Sequence, residues 1–246
     1  MRAAIQKLDG LLRGTALRVD EESTEIDFSA LASLRLTLIL GAVYGSCMGL
    51  FALSAGRRGA WIQLLASGVK LPLLFLLTLL VTFPALYVFS VLAGSRLRFT
   101  PLLRLNLVSI LIMLAVSASL APILAFFTLS TTSYSFMVLL NVVLLGVAGL
   151  IGLRFLRRTL SLLLSAAEAS ASPRPSSTAL GAVEASRAAG NTFRVWLCLF
   201  ALVGVQMAWL LRPFIGRPEA AFTWFRPREA SFFQSVFEHL LRLLGA

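Results

Sequence analysis

The sequence predicts an all-α fold: a polytopic membrane helix bundle of five transmembrane helices, with amphipathic surface helices at the N-terminal and C-terminal ends. Three observations predict this class. The chain is 58% hydrophobic and 13% charged, whereas about 25% of residues in soluble domains are charged. Its mean hydropathy is +0.88. Five apolar runs also come close to or exceed the roughly 20 residues that a helix needs to cross about 30 Å of hydrocarbon.

The five predicted spans are apolar runs that contain no charged residue. They cover residues 36–54, 71–94, 105–129, 136–153 and 195–211. Each is expected to be helical, because backbone N–H and C=O groups find no water partner in lipid. The first four spans form a predicted transmembrane core at 36–158.

Three segments outside the spans have their own composition. Residues 1–35 place Ile5, Leu8 and Leu12 on one helical face and then turn acidic, which predicts a cytoplasmic amphipathic segment that lies on the membrane or docks a soluble partner. Residues 159–194 are small, polar and Pro-containing, which is typical of a flexible linker. Residues 212–246 combine three Arg-Pro pairs with aromatic residues and a closing amphipathic pattern.

The charge distribution predicts the orientation and excludes nucleic acid as a partner. The formal net charge is +11, but the 22 Lys and Arg residues are spread over the flanks of the spans without a long basic cluster. Membrane lipid is therefore the expected partner. With the N-terminus inside, 14 of the 22 basic residues lie on the inner side, so the positive-inside rule predicts a cytoplasmic N-terminus and an external C-terminus.

The residues that usually carry chemistry are sparse. None of the 11 acidic residues lies in a predicted span, although ionisable groups at that depth are typical of proton or ion paths. The one histidine, His239, is expected to be solvated in a surface helix, and Cys47 and Cys198 are expected to pack as small apolar side chains. The sequence thus predicts no catalytic, cofactor-binding or metal site, and no enzyme.

Small residues in the spans predict where helices pack closely. Glycine recurs at every fourth position in the first span and at every third in the fourth, which allows another backbone to approach. The predicted packing residues are Gly41, Gly45, Gly49, Gly146, Gly149 and Gly152. The ridge of the first span can pack within the chain, against the second or the fourth span, or against another subunit. We expect the first and fourth spans to form the central seam.

Prolines and uncharged polar residues within the spans predict either a cavity or hydrogen bonds between helices. A proline removes one backbone hydrogen bond from a helix, and the freed carbonyl can line a pathway. The candidates are Pro84, Asn106, Ser117, Pro122, Asn141 and Gln206.

The stretch that follows the fifth span is rich in arginine and aromatic residues, which dominate binding hot spots. Its candidate surface comprises Trp209, Arg212, Phe214, Arg217, Phe222, Trp224, Phe225, Arg226 and Arg228. Two interpretations stay open: a rigid turn anchored by these side chains, or a binding surface for a partner or an anionic lipid. Pro227 is predicted to begin a closing helix that runs to Leu244.

Several stretches resemble those of a family of bacterial multi-pass membrane proteins of uncharacterised activity. They are LPLLFLLTLLVTFPALYVFSVLAG, LAPILAFF, QMAWLLRPFIGRP and FRPRE, and the resemblance covers roughly residues 60–240. The five-span plan is also similar to that of Yip1-type membrane proteins. The resemblance implies a location in the bacterial cytoplasmic (inner) membrane and implies no particular activity.

Together these patterns favour a non-catalytic integral membrane subunit or scaffold, which assembles as a homo-oligomer or with other membrane-complex subunits. The alternative is a pore, transporter or groove for uncharged or lipid-like solutes.

Overall fold

The structure is a computed structural model that describes residues 6, 8–10, 29–54, 56, 59–92, 99–171, 179–216, 223–225 and 231–244. Within these ranges every regular element is an α-helix. The helices are α1 (Ala30–Ser54), α2 (Ala60–Leu92), α3 (Phe99–Ser130), α4 (Tyr134–Ala171), α5 (Ala179–Leu210) and α6 (Phe232–Leu244). The predicted all-α class is confirmed for the part of the chain that is described.

Four helices are long and apolar enough to cross a membrane, which supports a multi-pass membrane protein. The apolar stretches are Ala30–Ser54, Ala60–Val88, Phe99–Ser130 and Tyr134–Leu160. The predicted fifth span corresponds to a shorter apolar helical stretch, Arg194–Leu210. The second span begins eleven residues before its predicted start at Leu71, because three polar residues in the first turns of α2 mask its apolar character in the sequence.

The predicted linker at 159–194 differs from the structure in its backbone. Helix α4 continues to Ala171 and helix α5 begins at Ala179, so most of this segment is helical. In the predicted N-terminal helix, Leu8 is buried against Leu36, Val108 and Leu111 of the bundle. Its predicted neighbours Ile5 and Leu12 lie outside the described residues.

The helices pack in the order α5–α2–α1–α3–α4, so α1 lies between α2 and α3. Helix α5 is attached to α2 through Trp196, whose side chain is fully buried and whose Nε1 donates a hydrogen bond to the Thr82 carbonyl at 3.0 Å. Helix α6 packs mainly on α4. The two outermost helices of this order, α4 and α5, therefore border a space that α6 partly covers.

The glycine ridge of α1 packs within the chain, against α2. A Cβ atom added at Gly41 would lie 2.9 Å from Pro72 Cβ, and one added at Gly49 would lie 2.5 Å from Leu64 Cα. At Gly45 it would overlap the Ser67 carbonyl oxygen. The ridge therefore packs against the second span, and the prediction that the first span forms its seam with the fourth is wrong.

The glycines of the fourth span divide between two environments. Added Cβ atoms at Gly149 and Gly152 would meet Met113 of α3 at 3.2 and 3.0 Å, whereas Gly146 has open space around it. Two of the three predicted packing positions thus lie in a helix contact, between α4 and α3. Gly146 lies on the exposed side of α4.

Candidate functional site

A cavity of about 430 Å³ opens between α4, α5 and α6. This volume lies within the range of small-molecule sites in proteins. The lining comes from α1, α2, α4, the end of α5, the residues that follow it and α6. It comprises Met48, Leu71, Leu74, Tyr134, Val138, Asn141, Val142, Leu145, Ala208, Trp209, Arg212, Pro213, Phe214, Ile215, Phe232, Ser235, Val236, Glu238 and His239.

The lining changes from polar to apolar along α4. Glu238 and His239 of α6 lie at the polar end, where His239 contacts Ser135 in the first turn of α4, whereas Leu145 lies about three turns further along α4, at the apolar end. The lining follows α4 from its first residue, Tyr134, to Leu145, which corresponds to about 16 Å at the helical rise of 1.5 Å per residue. This shape and polarity match an amphiphile with an apolar chain and a polar head.

One wall of the cavity is the segment 212–216, which a polar row on α2 holds in place. Gln63 Nε2 donates to the carbonyls of Pro213 and Phe214, each at 3.1 Å, and Ser67 Oγ donates to the Phe214 carbonyl at 2.5 Å. The Arg212–Pro213 peptide is cis. Pro213, Ile215 and Gly216 are buried. Of the two interpretations of this stretch, the anchored turn is therefore the one that the contacts of residues 212–216 support.

Lys70 belongs to the same row of polar residues on α2. It lies within the helix and not, as the sequence predicted, in the flank between two spans. Its side chain is 3% exposed. Its Nζ donates to the Pro213 carbonyl at 3.4 Å and to the Trp224 carbonyl, and it lies 5.3 Å from the Phe225 ring centroid. Carbonyl acceptors and an aromatic face both stabilise an ammonium group away from water.

Helix α6 docks on α4 through His239. This histidine is buried, so the prediction that it is solvated is wrong. The imidazole is 5% exposed. Its Nδ1 lies 3.1 Å from Ser135 Oγ, and its ring meets the Tyr134 ring at a centroid distance of 5.5 Å. The two partners are 104 positions apart in sequence, so no local pattern could have indicated the pair.

The distance between Ser135 and His239 would also suit a serine nucleophile and its base. Among the described residues, however, Tyr134 and His239 line the cavity and Ser135 does not. A buried polar group needs a hydrogen-bond partner whatever its function. We therefore assign this hydrogen bond to the docking of α6.

Helix α6 exposes most of its apolar side chains as well as the polar Gln234, Glu238 and Arg242. Its buried residue is His239, while apolar side chains point away from the protein. The exposed apolar residues are Phe233, Phe237, Leu240, Leu241, Leu243 and Leu244. Exposed apolar side chains of this number are typical of a contact with a membrane or with another protein.

The structure brings together part of the predicted binding surface. Trp209, Arg212 and Phe214 line the cavity, and the Arg212 guanidinium lies 3.6 Å from the centroid of the Trp209 ring. Trp224 and Phe225 are exposed and lie beside Lys70. Arg217, Phe222, Arg226 and Arg228 lie outside the described residues.

Of the six predicted cavity residues, Asn141 lines the cavity. Its side-chain amide donates to the Met137 carbonyl at 2.9 Å, and its Oδ1 accepts a hydrogen bond from Tyr44 at 3.3 Å. The other five lie elsewhere. Asn106 and Ser117 donate to carbonyls of their own helix, and Pro84, Pro122 and Gln206 are exposed on the outside of the bundle.

Comparison of the chain with family models, curated proteins and solved structures gives no match. The resemblance of residues 60–240 to bacterial multi-pass membrane proteins therefore stays a prediction. The function has to be inferred from the geometry of the cavity itself.

Proposed function

We propose that the protein is an integral membrane protein that binds a lipid-like amphiphile in the cavity between α4 and α5, without transforming it chemically. The observation that carries this proposal is the polarity of the cavity, which is apolar around Leu145 and polar around Glu238 and His239. An amphiphile buries its chain against the first end, which favours binding through the hydrophobic effect. Its head group meets polar partners at the second end.

The arrangement in the membrane is part of the proposal. Helix α5 crosses as a fifth span, with Arg194–Leu210 at its apolar centre. Following the distribution of basic residues, the N-terminus is cytoplasmic and α6 lies on the external side of a bacterial inner membrane. The cavity then opens toward the external leaflet, from which an amphiphile enters.

Helix α6 lies in the interfacial layer of that leaflet. Its exposed residues Phe233, Phe237 and Leu244 contact acyl chains, while His239 and Ser235 face the protein. An interfacial helix buries its apolar face about 5 to 10 Å into the boundary between head groups and chains. This position gives the exposed apolar side chains of α6 an apolar environment.

The subunit or scaffold role was predicted from the lack of catalytic and ion-coupling residues, from the glycine ridge and from the two terminal segments. The ridge gives it no support, because an added Cβ at Gly45 or Gly49 meets α2 of the same chain. We therefore place amphiphile binding before a role in assembly.

A pair of neighbouring substitutions tests the proposal. Val142 lines the cavity, whereas Val143 is 59% exposed on the outside of α4. Val142→Trp should fill the cavity and lower the occupancy of added lysophospholipid by roughly tenfold or more, a loss of at least about 1.4 kcal/mol in binding. Val143→Trp should leave the occupancy unchanged. Native mass spectrometry of the detergent-purified proteins measures both.

Equal occupancy in the two variants would overturn the proposal, because the ligand would then bind outside the cavity. Circular dichroism and a thermal unfolding scan establish that both variants keep the helical fold.

A further inference from the structure

Asn141 is the polar side chain that α4 places between the polar and the apolar end of the cavity. It lines the cavity and is 3% exposed. The other α4 residues of the lining within about one turn of it are the apolar Val138, Val142 and Leu145. A ligand that follows α4 from the polar end therefore passes an amide group before it reaches the apolar end.

Two contacts between α1 and α4 give the position of Asn141 along the cavity. The rings of Phe51 and Tyr134 have their centroids 6.3 Å apart. The Tyr44 hydroxyl donates to Asn141 Oδ1 at 3.3 Å. In both helices the two contacts are seven residues apart, which corresponds to about 10 Å at the helical rise. Because Tyr134 also meets the ring of His239, Asn141 lies about 10 Å along α4 from the polar end of the cavity.

The amide of Asn141 is held in one orientation and keeps one donor for a ligand. An asparagine side chain has two N–H donors and an oxygen that accepts two hydrogen bonds. Nδ2 donates to the Met137 carbonyl at 2.9 Å, and Oδ1 accepts from Tyr44. Among the residues that the structure describes, these are the hydrogen bonds of this side chain, so one N–H is left. A donor that is already oriented loses little freedom when a ligand binds.

The remaining N–H needs an acceptor that the ligand can supply. A buried donor without an acceptor is costly. A carbonyl oxygen projects from its chain and accepts a hydrogen bond from an amide N–H, as backbone carbonyls do in proteins. The acyl ester of a glycerophospholipid carries such a carbonyl between head group and chain, whereas an alkyl ether has no projecting oxygen at that place.

The length of a glycerophospholipid matches the position of Asn141. About ten bonds lie between the end of a phosphocholine head group and the acyl carbonyl carbon, which at about 3.4 Å for three extended bonds correspond to about 11 Å. The carbonyl therefore reaches Asn141 when the end of the head group is level with His239. The acyl chain then continues along Leu145.

Resting on the proposed function, we propose that Asn141 recognises the linkage between head group and chain, because its remaining N–H donates to the carbonyl oxygen of an acyl ester. The cavity thereby selects acyl-ester lipids over alkyl-ether lipids that have the same head group and chain length.

The test is competition between two lysophospholipids with the same phosphocholine head group and chains of equal length, one linked as an acyl ester and the other as an alkyl ether. The purified full-length protein is exposed to an equimolar mixture, and the bound species are quantified by native mass spectrometry. Both probes keep the glycerol hydroxyl, so the ratio of the bound species reports the carbonyl alone. We expect the ester to exceed the ether about fivefold, the factor that one neutral hydrogen bond gives.

A matched pair of variants assigns the preference to Asn141. Asn141→Leu replaces the amide by an apolar side chain of similar size and should bring the ratio of ester to ether to about one. Asn106 is also buried, and its Nδ2 also donates to the carbonyl four residues earlier, at 2.9 Å, but it does not line the cavity. Asn106→Leu should therefore keep the wild-type ratio. A ratio that falls equally in both variants would overturn the assignment, because the effect would then come from the fold.

A second set of variants covers a failure of Asn141→Leu to fold, since this substitution leaves the buried Tyr44 hydroxyl without its acceptor. Tyr44→Phe keeps the amide and its hydrogen bond to Met137, and it should keep the ester preference. The double variant Tyr44→Phe/Asn141→Leu should lose it. Loss of the preference in Tyr44→Phe alone would overturn the assignment, because the preference would then follow Tyr44 and not the amide.

The outcomes separate the two proposals. Wild-type protein that binds ester and ether equally, or that prefers the ether, overturns the role of Asn141 and leaves amphiphile binding intact. An ester preference that persists in Asn141→Leu also overturns this role. Protein that retains neither probe overturns the proposed function itself.

Discussion

The contact between α1 and α2 and the space between α4 and α5 lie in the same bundle but differ in how closely the helices approach. In the first region glycine faces backbone, with 2.5 Å between an added Cβ at Gly49 and Leu64 Cα. In the second region Val142 and Leu145 of α4 face Ala208 of α5 across a cavity of about 430 Å³. Close contact in the first region joins α1 to α2, whereas a cavity separates the helices in the second region.

Different interactions hold the two regions in shape. The close contact depends on the absence of side chains, because van der Waals packing rather than the hydrophobic effect holds helices together in lipid. The open region is bordered by the segment 212–216, which hydrogen bonds from α2 hold, and by α6, which His239 attaches to α4. Packing therefore stabilises the first region, whereas polar anchors shape the second.

The largest expected effect comes from enlarging a glycine in the close contact. In Gly45→Leu, the new side chain meets the Ser67 backbone, which cannot move without separating α1 from α2. We expect destabilisation of about 3 kcal/mol or more, observed as lost expression or as aggregation during size-exclusion chromatography in mild detergent.

Gly146→Leu is the matched control, since an added Cβ there has nothing within 4 Å. This variant should elute and melt like the wild type. If Gly45→Leu is as stable as Gly146→Leu, the close contact between α1 and α2 is not what holds the bundle together.

A smaller effect is expected at the docking of α6. Ser135→Ala removes the partner of His239 Nδ1 and should weaken the attachment of α6 by about 1 kcal/mol, while the rest of the bundle stays intact. Hydrogen exchange should therefore become faster across 232–244 and remain unchanged in α1 and α2.

Ser130→Ala is the control for this variant, because the Ser130 hydroxyl donates to the Phe126 carbonyl of its own helix at 2.9 Å. It should not affect exchange in α6. Equal exchange across 232–244 in Ser135→Ala and wild type would show that the apolar contacts of α6 suffice without this hydrogen bond.

Much of the fold could be predicted because it depends on composition and periodicity. Uninterrupted apolar runs indicated five spans, four of which correspond to helices long and apolar enough to cross a membrane. The spacing of Gly41, Gly45 and Gly49 indicated a close helix contact. The partner of that contact could not be predicted, since a glycine ridge has no side chain that specifies what approaches it. Gly68 of α2, where an added Cβ would lie 2.8 Å from Ser46 Oγ, shows that the fit comes from both helices.

The candidate site was harder to predict from the sequence, because its polar residues form hydrogen bonds with residues that are distant in the sequence. Lys70 and Gln63 reach the carbonyl of Pro213, and His239 reaches Ser135. A polar residue beside an apolar run indicates the end of a span only if its partner is water. For Lys70 the partner is the Pro213 carbonyl, so the second span begins earlier than its apolar run indicates.

The most direct test of amphiphile binding is photo-crosslinking with a lysophospholipid that carries a diazirine on its acyl chain. The purified protein is irradiated with the probe, and labelled positions are mapped by peptide mass spectrometry. If the cavity binds the amphiphile, adducts form on cavity residues of α4 and α5, such as Val142, Leu145 and Ala208, and excess unlabelled lysophospholipid removes them. Adducts confined to exposed positions such as Val147 and Leu150, unaffected by the competitor, would contradict this binding.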